Sequence, residues 1–217
     1  MIFGVSYGQW LFVLQGAGWT IVLSLLGFVG GTIVGLPLAV ARASISKWPR
    51  ILTGLYVKLM QGIPLPVMMF IVYFGISIAG YELPALVAAG AAMTIYSSVY
   101  LGEIWRGCIE AVPKTQWEAS DSLAFNHLQT LSYIILPQAF RMAIPPTVGF
   151  LVQIVKNSSY AVVIGFFDLT YSARVVNNST FKPFAVFTVA ALIYFILCYP
   201  LSLWSYRLEK KLKDKIK

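Results

Sequence analysis

The chain has little charge for its length. Of its 217 residues only 11% are charged, whereas 59% are hydrophobic. An ordinary soluble domain carries charge on about a quarter of its residues. Together with a mean hydropathy of +0.77, this shortage of polar side chains excludes a soluble globular protein and predicts an integral membrane protein.

Residues that catalyse reactions or bind metals are also scarce. The two cysteines, Cys108 and Cys198, lie in apolar surroundings, which excludes a disulfide-rich secreted scaffold. The single histidine, His127, gives no metal-ligand set, and the dipeptide Gly-Lys that ends a Walker loop is absent. We therefore expect no enzymatic activity, cofactor or metal on this chain. The net charge of +8 falls on short loops, so we expect no nucleic acid partner.

Five apolar segments are long enough to cross a bilayer, which requires about 20 mostly apolar residues per helix. The fold class predicted is an all-α membrane protein, a single transmembrane domain over residues 1–217. Residues 1–15 are predicted to form a short interfacial helix or extension. The predicted spans are residues 16–40, 52–78, 83–105, 142–167 and 184–204.

The distribution of Lys and Arg predicts how the spans are oriented, because cations of short loops stay in the cytoplasm. Thirteen of the sixteen cations fall on the side that includes the 106–141 loop and the C-terminal tail. Arg174 and Lys182 fall on the other side, and Lys156 lies inside the fourth span. This pattern places the N-terminus outside and the C-terminus in the cytoplasm.

Glycine and proline in the spans indicate how the helices pack. Gly27, Gly31 and Gly35 recur every four residues, which favours a close helix–helix contact. The alternative is that glycine is simply common in membrane helices. Pro64 and Pro66 interrupt the second span, and such breaks at membrane depth are tolerated where the helix lines a cavity or is buried.

The loop 106–141 is the longest connection and contains the most informative pattern. It is predicted to hold a surface helix over 115–124 and a second helix over 128–136 that ends near Pro137. Within it, the triplet EAS at 118–120 is followed after three residues by Ala124. Nine further residues lead to the sequence IILP at 134–137.

This spacing resembles the EAA signature of permease subunits of ATP-binding cassette (ABC) importers of the type I fold, with Ser120 replacing alanine and Ala124 replacing glycine. Other segments narrow the resemblance to permeases for polar amino acids. Thr115 and Gln61 depart from that pattern, which has glycine and arginine there. The matching segments are VYLGEIWRG at 99–107, LPQA at 136–139, KNSS at 156–159 and QGIPL at 61–65.

The resemblance implies a role in coupling for the loop helix, which would insert into a cleft on a separate ABC ATPase subunit. That partner would hold ATP and Mg. The implied assembly also contains a second permease subunit, identical or related, and an extracytoplasmic amino-acid-binding protein, in the bacterial plasma (inner) membrane. The implied ATPase-coupling residues are Gln116, Glu118, Ala119, Ser120, Leu123 and Ala124. The alternative for this helix is an amphipathic surface anchor.

Ionisable residues at membrane depth are candidates for the substrate path, because charge there is unfavourable unless it is paired or hydrated. An amino acid substrate carries an ammonium and a carboxylate group, so polar partners of either sign suit it. The alternatives are a salt bridge between Glu103 and Arg106, and a Lys156 that snorkels or pairs with the second permease. The predicted path residues are Tyr100, Glu103, Arg106, Lys156 and Ser159.

The sequence is also compatible with two other functions. An ATP-independent secondary transporter or channel would transport substrate without a partner. A scaffold or sensor subunit would bind an ATPase without transport. The main hypothesis is the permease subunit of an ATP-driven importer for polar amino acids, which forms the path in a permease dimer.

Overall fold

A computed structural model describes residues 4–44 and 46–216, and this part of the chain is helical with short connections. The first helices are α1 (Tyr7–Arg42), α2 (Lys47–Gln61), α3 (Leu65–Ile78), α4 (Ala85–Glu110) and α5 (Lys114–Ser122). There follow α6 (His127–Gln129), a π-helical turn (Thr130–Ile135), α7 (Leu136–Asn157), a 3-10 helix (Ser158–Ile164), α8 (Leu169–Thr180) and α9 (Pro183–Ile216).

Helix α1 begins well before the predicted first span. The Ser6 side chain accepts a hydrogen bond from the Gln9 backbone, and the Gln9 side chain accepts one from the Ser6 backbone. This capping box starts the helix at Tyr7. Of the two alternatives predicted for residues 1–15, a separate interfacial helix is wrong from Tyr7 onward, whereas an extension that leads into the first span agrees with the continuous α1. Residues 1–3 lie outside the described part of the chain.

The second predicted span is broken into α2 and α3, which meet at an angle of 98°. Pro64 has no backbone N–H to donate, and its ring disfavours the helical conformation at Ile63. The break falls at residues 62–64. In the described residues, four helices or helical segments are long and apolar enough to cross a membrane, and the bent pair makes a fifth if it counts as one span.

The connection between α4 and α7 is shorter than predicted. Helix α4 runs on to Glu110, and α5 coincides with most of the predicted surface helix. The predicted helix end near Pro137 is wrong, since α7 continues through that residue to Asn157. Pro137 sits in the first turn of α7, where its missing N–H is tolerated, and the π-helical turn before it leads the chain in without a break.

The other end of the bundle contains a helix that the sequence analysis did not predict. The 3-10 helix after α7 stops at Gly165, whose φ of +75° turns the chain back. Asp168 then caps α8, accepting a hydrogen bond from the Tyr171 N–H at 2.7 Å. Helix α9 begins close to the predicted fifth span but extends to Ile216.

Helices α1 and α4 form the most extensive helix pair of the fold. Gly27, Gly31 and Gly35 are all buried on the α1 face that contacts α4. A Cβ on Gly27 would lie 2.8 Å from the Met93 Cβ, and one on Gly35 would lie 2.9 Å from the Ser98 carbonyl oxygen. The prediction that these glycines serve close packing is confirmed.

Substitution of Gly31 should disrupt this contact. A Cβ there would collide with the Ser97 side chain and come within 3.2 Å of the Ser98 N. We expect Gly31→Ala to destabilise the protein by about 1–3 kcal/mol through overpacking. The control is Gly18→Ala, where nothing lies within 4 Å of the added Cβ. Thermal unfolding in detergent measures both, and equal midpoints for the two variants would contradict the assignment.

Asp168 links α1, α8 and α9 at the end of the bundle opposite α5. Its side chain is fully buried, and Tyr194 donates its hydroxyl to Oδ2 at 3.3 Å. The next backbone N–H, of Leu169, donates to the Thr20 hydroxyl at 3.1 Å. Burial raises the pKa of Asp168 to about 6, although the hydrogen bond from the Tyr171 N–H acts in the opposite direction.

Stability should therefore depend on pH through Asp168. Because the folded state raises this pKa from about 4 to about 6, the folded state binds the proton more tightly than the unfolded state. The contribution of Asp168 to the free energy of unfolding is then fully present below about pH 4. It decreases as the pH rises to about 6, by up to about 3 kcal/mol in total. Asp168→Asn keeps a capping acceptor and should remove this decline. Thermal unfolding midpoints of the wild type and the variant, measured between pH 4 and 8, test this prediction. If the midpoints of the two proteins change with pH in parallel, the prediction is wrong.

Candidate functional site

Helix α5 and the two residues after it expose most of the predicted coupling residues. Five of the six are exposed, and Leu123 is 68% exposed although it is apolar. Ser120 is the exception, since it is fully buried and donates its hydroxyl to the Gln116 carbonyl at 2.6 Å. The geometry thus separates an outer face from an inner anchoring residue. The exposed residues of the predicted set are Gln116, Glu118, Ala119, Leu123 and Ala124.

Packing on the inner side fixes the orientation of α5. Trp117 stacks on His127 with ring centroids 5.8 Å apart. Trp117 also packs against a buried apolar cluster that joins the end of α4 to the start of α7. The Gln138 side chain of α7 donates to the Gln116 side chain at 3.3 Å. Helix α5 is therefore attached to both spans that flank the loop. The buried residues of this cluster are Ile109, Val112, Leu131, Ile135 and Ala139.

Ala124 ends this loop helix in an unusual conformation. Its φ is +57°, in the left-handed region, and its N–H donates to the Asp121 carbonyl at 3.0 Å. Glycine adopts this conformation without steric conflict, whereas an L-residue there is strained by about 1–2 kcal/mol. The signature that the loop resembles has glycine at this position, and the left-handed turn explains that choice physically.

Glu103 and Arg106, predicted for the path, lie in an ion-pair network near the α5 end of α4. Glu103 accepts from Arg42 of α1 and from Arg106, each at 2.9 Å. Arg106 also pairs with Glu110. The salt bridge left open as the alternative is therefore present, and it extends to Arg42 of α1, a residue not predicted for this site.

Tyr100 belongs to an aromatic cluster between α4 and α7. Its ring centroid lies 4.5 Å from that of Tyr96 and 5.7 Å from that of Phe150. All three rings are partly exposed. The structure thus places Tyr100 beside α7 and assigns Glu103 and Arg106 to the ion-pair network.

The other two predicted path residues lie at the end of α7. Lys156 is exposed and forms no ion pair within residues 4–44 and 46–216. Ser159 donates its hydroxyl to the Lys156 carbonyl at 2.7 Å. A cation that is exposed at membrane depth requires water, a ligand or another chain beside it.

Two polar residues next to Lys156, Gln153 and Asn157, were not among the predicted path residues. Gln153 donates its amide to the Asn157 Oδ1 at 3.0 Å. Asn157 is 3% exposed, and its Nδ2 has no hydrogen-bond partner. The signal was available, because two amides four residues apart in an apolar span lie on one helix face.

Comparison with known proteins establishes the family. The family described as binding-protein-dependent transport system inner membrane component matches residues 27–214. The chain belongs to this family. The probable glutamine ABC transporter permease protein GlnM of Bacillus subtilis is 38% identical over 194 residues, covering 89% of this chain and 90% of that protein. The probable amino-acid ABC transporter permease protein YckA of the same organism is 36% identical over 203 residues, 92% of this chain and 88% of that protein.

Solved structures agree with the fold. The crystal structure of an amino acid ABC transporter with histidines has 31% identity and a TM-score of 0.87, covering 92% of this chain and 94% of that one. An inward-facing MetNI methionine ABC transporter has 18% identity and a TM-score of 0.78, over 95% and 98% of the two chains, and shares the fold. The predicted resemblance and the all-α permease fold of type I importers are confirmed. The chain is a multi-pass membrane permease of an ABC transporter.

Loss of Glu103 should weaken the bundle more than loss of Glu110. Glu103→Gln removes the anionic acceptor of two arginines, so we expect a destabilisation of about 1–3 kcal/mol. Glu110 is more than half exposed, and Glu110→Gln should change stability by about 0.5 kcal/mol or less. Thermal unfolding of both variants in detergent gives the comparison. If the two variants lose equal stability, the Arg42–Glu103 ion pair between α1 and α4 contributes no more than an exposed ion pair.

Proposed function

We propose that this chain is the permease subunit of an ATP-driven importer of polar amino acids in the bacterial plasma membrane. The relatives named as amino-acid and glutamine permeases support the substrate class. In the proposed assembly the chain pairs with a second permease, identical or related. Two ABC ATPase subunits bind ATP and Mg, and an extracytoplasmic binding protein delivers the amino acid. The chain itself has no enzymatic activity and no cofactor.

The proposal puts α5 and the C-terminus in the cytoplasm and the N-terminus outside. The cation distribution supports this orientation, since most Lys and Arg residues lie on the α5 side of the spans. The α8 side would then receive the substrate from the binding protein.

The observation that carries the proposal is the exposed outer face of α5 on a firmly attached helix. Leu123 offers an apolar contact, and Ala119 is small enough for close seating in a cleft. Glu118 is an exposed carboxylate that can accept a charge-assisted hydrogen bond from a donor on the ATPase.

Movement of α5 would be transmitted directly to the spans. Its inner side packs on the cluster that joins α4 to α7, and the Arg42–Glu103 pair joins α4 to α1. When ATP closes the two ATPase subunits, the two α5 helices of the permease dimer approach each other. ATP binding thereby shifts the population toward an outward-open state.

The substrate path would run along the face of α7 that carries Gln153 and Lys156, beside the aromatic cluster. Lys156 can attract the carboxylate of an amino acid, and the free Nδ2 of Asn157 can donate to it. The ammonium group can lie against the rings of Tyr96 and Tyr100 through cation–π contact. Glu103 and Arg106 would support this region through their ion pairs, and Ser159 through its bond to the Lys156 carbonyl.

Site-directed crosslinking of the co-expressed assembly tests the coupling proposal. After replacement of Cys108 and Cys198 by alanine, we expect the Ala119→Cys variant to crosslink to the ATPase and to be protected from membrane-impermeant thiol reagents added outside the cell. The matched control is Tyr81→Cys, because Tyr81 is 71% exposed in the turn between α3 and α4. This variant should react with the thiol reagents added outside and should not crosslink to the ATPase. Labelling of the Ala119→Cys variant from outside, or no crosslink to the ATPase, would overturn the proposal.

The path is tested in the same assembly, reconstituted with its binding protein. Lys156→Met should lower amino-acid-stimulated ATP hydrolysis at least about tenfold, which corresponds to one lost ionic contact, while the crosslink from position 119 persists. Lys58→Met on α2 is the control with the same change of charge. Unchanged stimulation would exclude Lys156 from the path. Uptake by the permease alone without ATP would instead support the alternative, a secondary transporter or channel.

A further inference from the structure

A cavity of about 770 Å³ lies at the α5 end of the bundle, between α7, α9 and the segment that leads into α5. Helices α7 and α9 are held together beside it by Ser205, which donates its hydroxyl to the Pro145 carbonyl at 2.9 Å. The lining includes Pro113, Gln138, Arg141, Met142, Leu208 and Lys211.

The charge of this cavity is entirely positive. Arg141 of α7 and Lys211 of α9 line it, and no acidic side chain of the described residues does. Both cations are exposed, and neither forms an ion pair within that same part of the chain. Two cations from different helices therefore face one space without an anion, which fits an anionic group.

A second cavity, of about 470 Å³, shares one lining residue with the first, Ile144 of α7. Its walls come from α1, α4 and α7 and are almost entirely apolar. Two of the few polar groups in the wall bond to each other, since Trp105 donates to the Thr147 hydroxyl at 2.8 Å. Thr147 in turn donates to the Ala143 carbonyl at 2.7 Å. Apart from the Thr32 hydroxyl, which has no partner, the wall offers only hydrocarbon contact.

From this pair of cavities we infer a binding site for an anionic glycerophospholipid of the leaflet on the α5 side. The phosphate lies between Arg141 and Lys211, and one acyl chain passes Ile144 into the apolar cavity. An inorganic phosphate ion would occupy only the first cavity, and an uncharged lipid would leave both cations without a partner. The identity of this leaflet as the cytoplasmic one rests on the proposed function, whereas the site itself does not.

The site lies next to Pro113, at the start of α5. A bound lipid would fill the space between α9 and the first residues of α5. The phosphate of the lipid would contact α7 at Arg141, and its acyl chain would contact α7 at Ala143 and Thr147.

Photolabelling of the assembled transporter tests the inference. The complex is reconstituted in nanodiscs of phosphatidylcholine that contain a minor fraction of phosphatidylglycerol with a diazirine on one acyl chain. We expect the label on the peptide that covers residues 140–148. The double variant Arg141→Gln and Lys211→Gln should lower this labelling at least about tenfold. The matched control is Arg207→Gln with Lys210→Gln, which removes two exposed cations of α9 that do not line the cavity.

Four results would overturn the site. They are equal labelling of wild type and double variant, an equal loss in the control pair, displacement of the lipid by inorganic phosphate at matched ionic strength, and label on the ATPase or the second permease. The crosslink of the Ala119→Cys variant to the ATPase, measured on samples prepared in the same way, reports on the proposed function separately. A crosslink without lipid labelling would overturn the lipid site alone, and labelling without a crosslink would overturn the coupling proposal alone.

Discussion

The close contact between α1 and α4 is the constraint on which the rest of the fold depends. Helices in a membrane gain little from burying apolar surface against each other, because lipid is equally apolar, so tight packing has to supply the attraction. Gly27, Gly31 and Gly35 provide it by letting the backbones approach. The same proximity brings Arg42 within 2.9 Å of Glu103. At its other end α1 packs on α8, so α1 takes part in the packing at both ends of the bundle.

The helical backbone is interrupted in two regions of the bundle, between α2 and α3 and at the end of α7. The chain bends by 98° between α2 and α3, and α7 gives way to a 3-10 helix immediately after Asn157. These two regions contact each other, since α3 packs on the 3-10 segment. Broken helices at membrane depth are tolerated where they line a cavity or are buried in protein. Asn157 lies at this junction, and its buried Nδ2 lacks a hydrogen-bond partner although its Oδ1 accepts from Gln153, which supports the proposal that a polar substrate binds here.

The sequence predicted the type of fold well and its long-range contacts poorly. Apolar length was enough to find the spans, and the spacing from Glu118 to Pro137 was enough to find the family. The bend near Pro64 was visible as a break, but its angle depends on tertiary packing. Arg42 and Glu103 are 61 positions apart, and no local pattern joins them. Helix α8 was missed because it is short and half polar, although Asp168 is a good N-cap. Ser120 shares its motif with exposed residues, and only the structure shows that it is buried.

The left-handed conformation of Ala124 bears on the coupling role proposed for α5. An alanine at φ +57° persists only if the surrounding contacts fix the turn. Here the Ala124 N–H donates to Asp121, and the Phe125 N–H donates to the Ser120 carbonyl at 3.1 Å. Ser120 is buried, so this turn is tied to the inner side of α5. In the proposed assembly, a flexible turn would let α5 move without moving α7, and ATP binding to the ATPase would then not favour one state of the spans over the other. The strained turn thus supports the proposed coupling role, which requires a stiff loop.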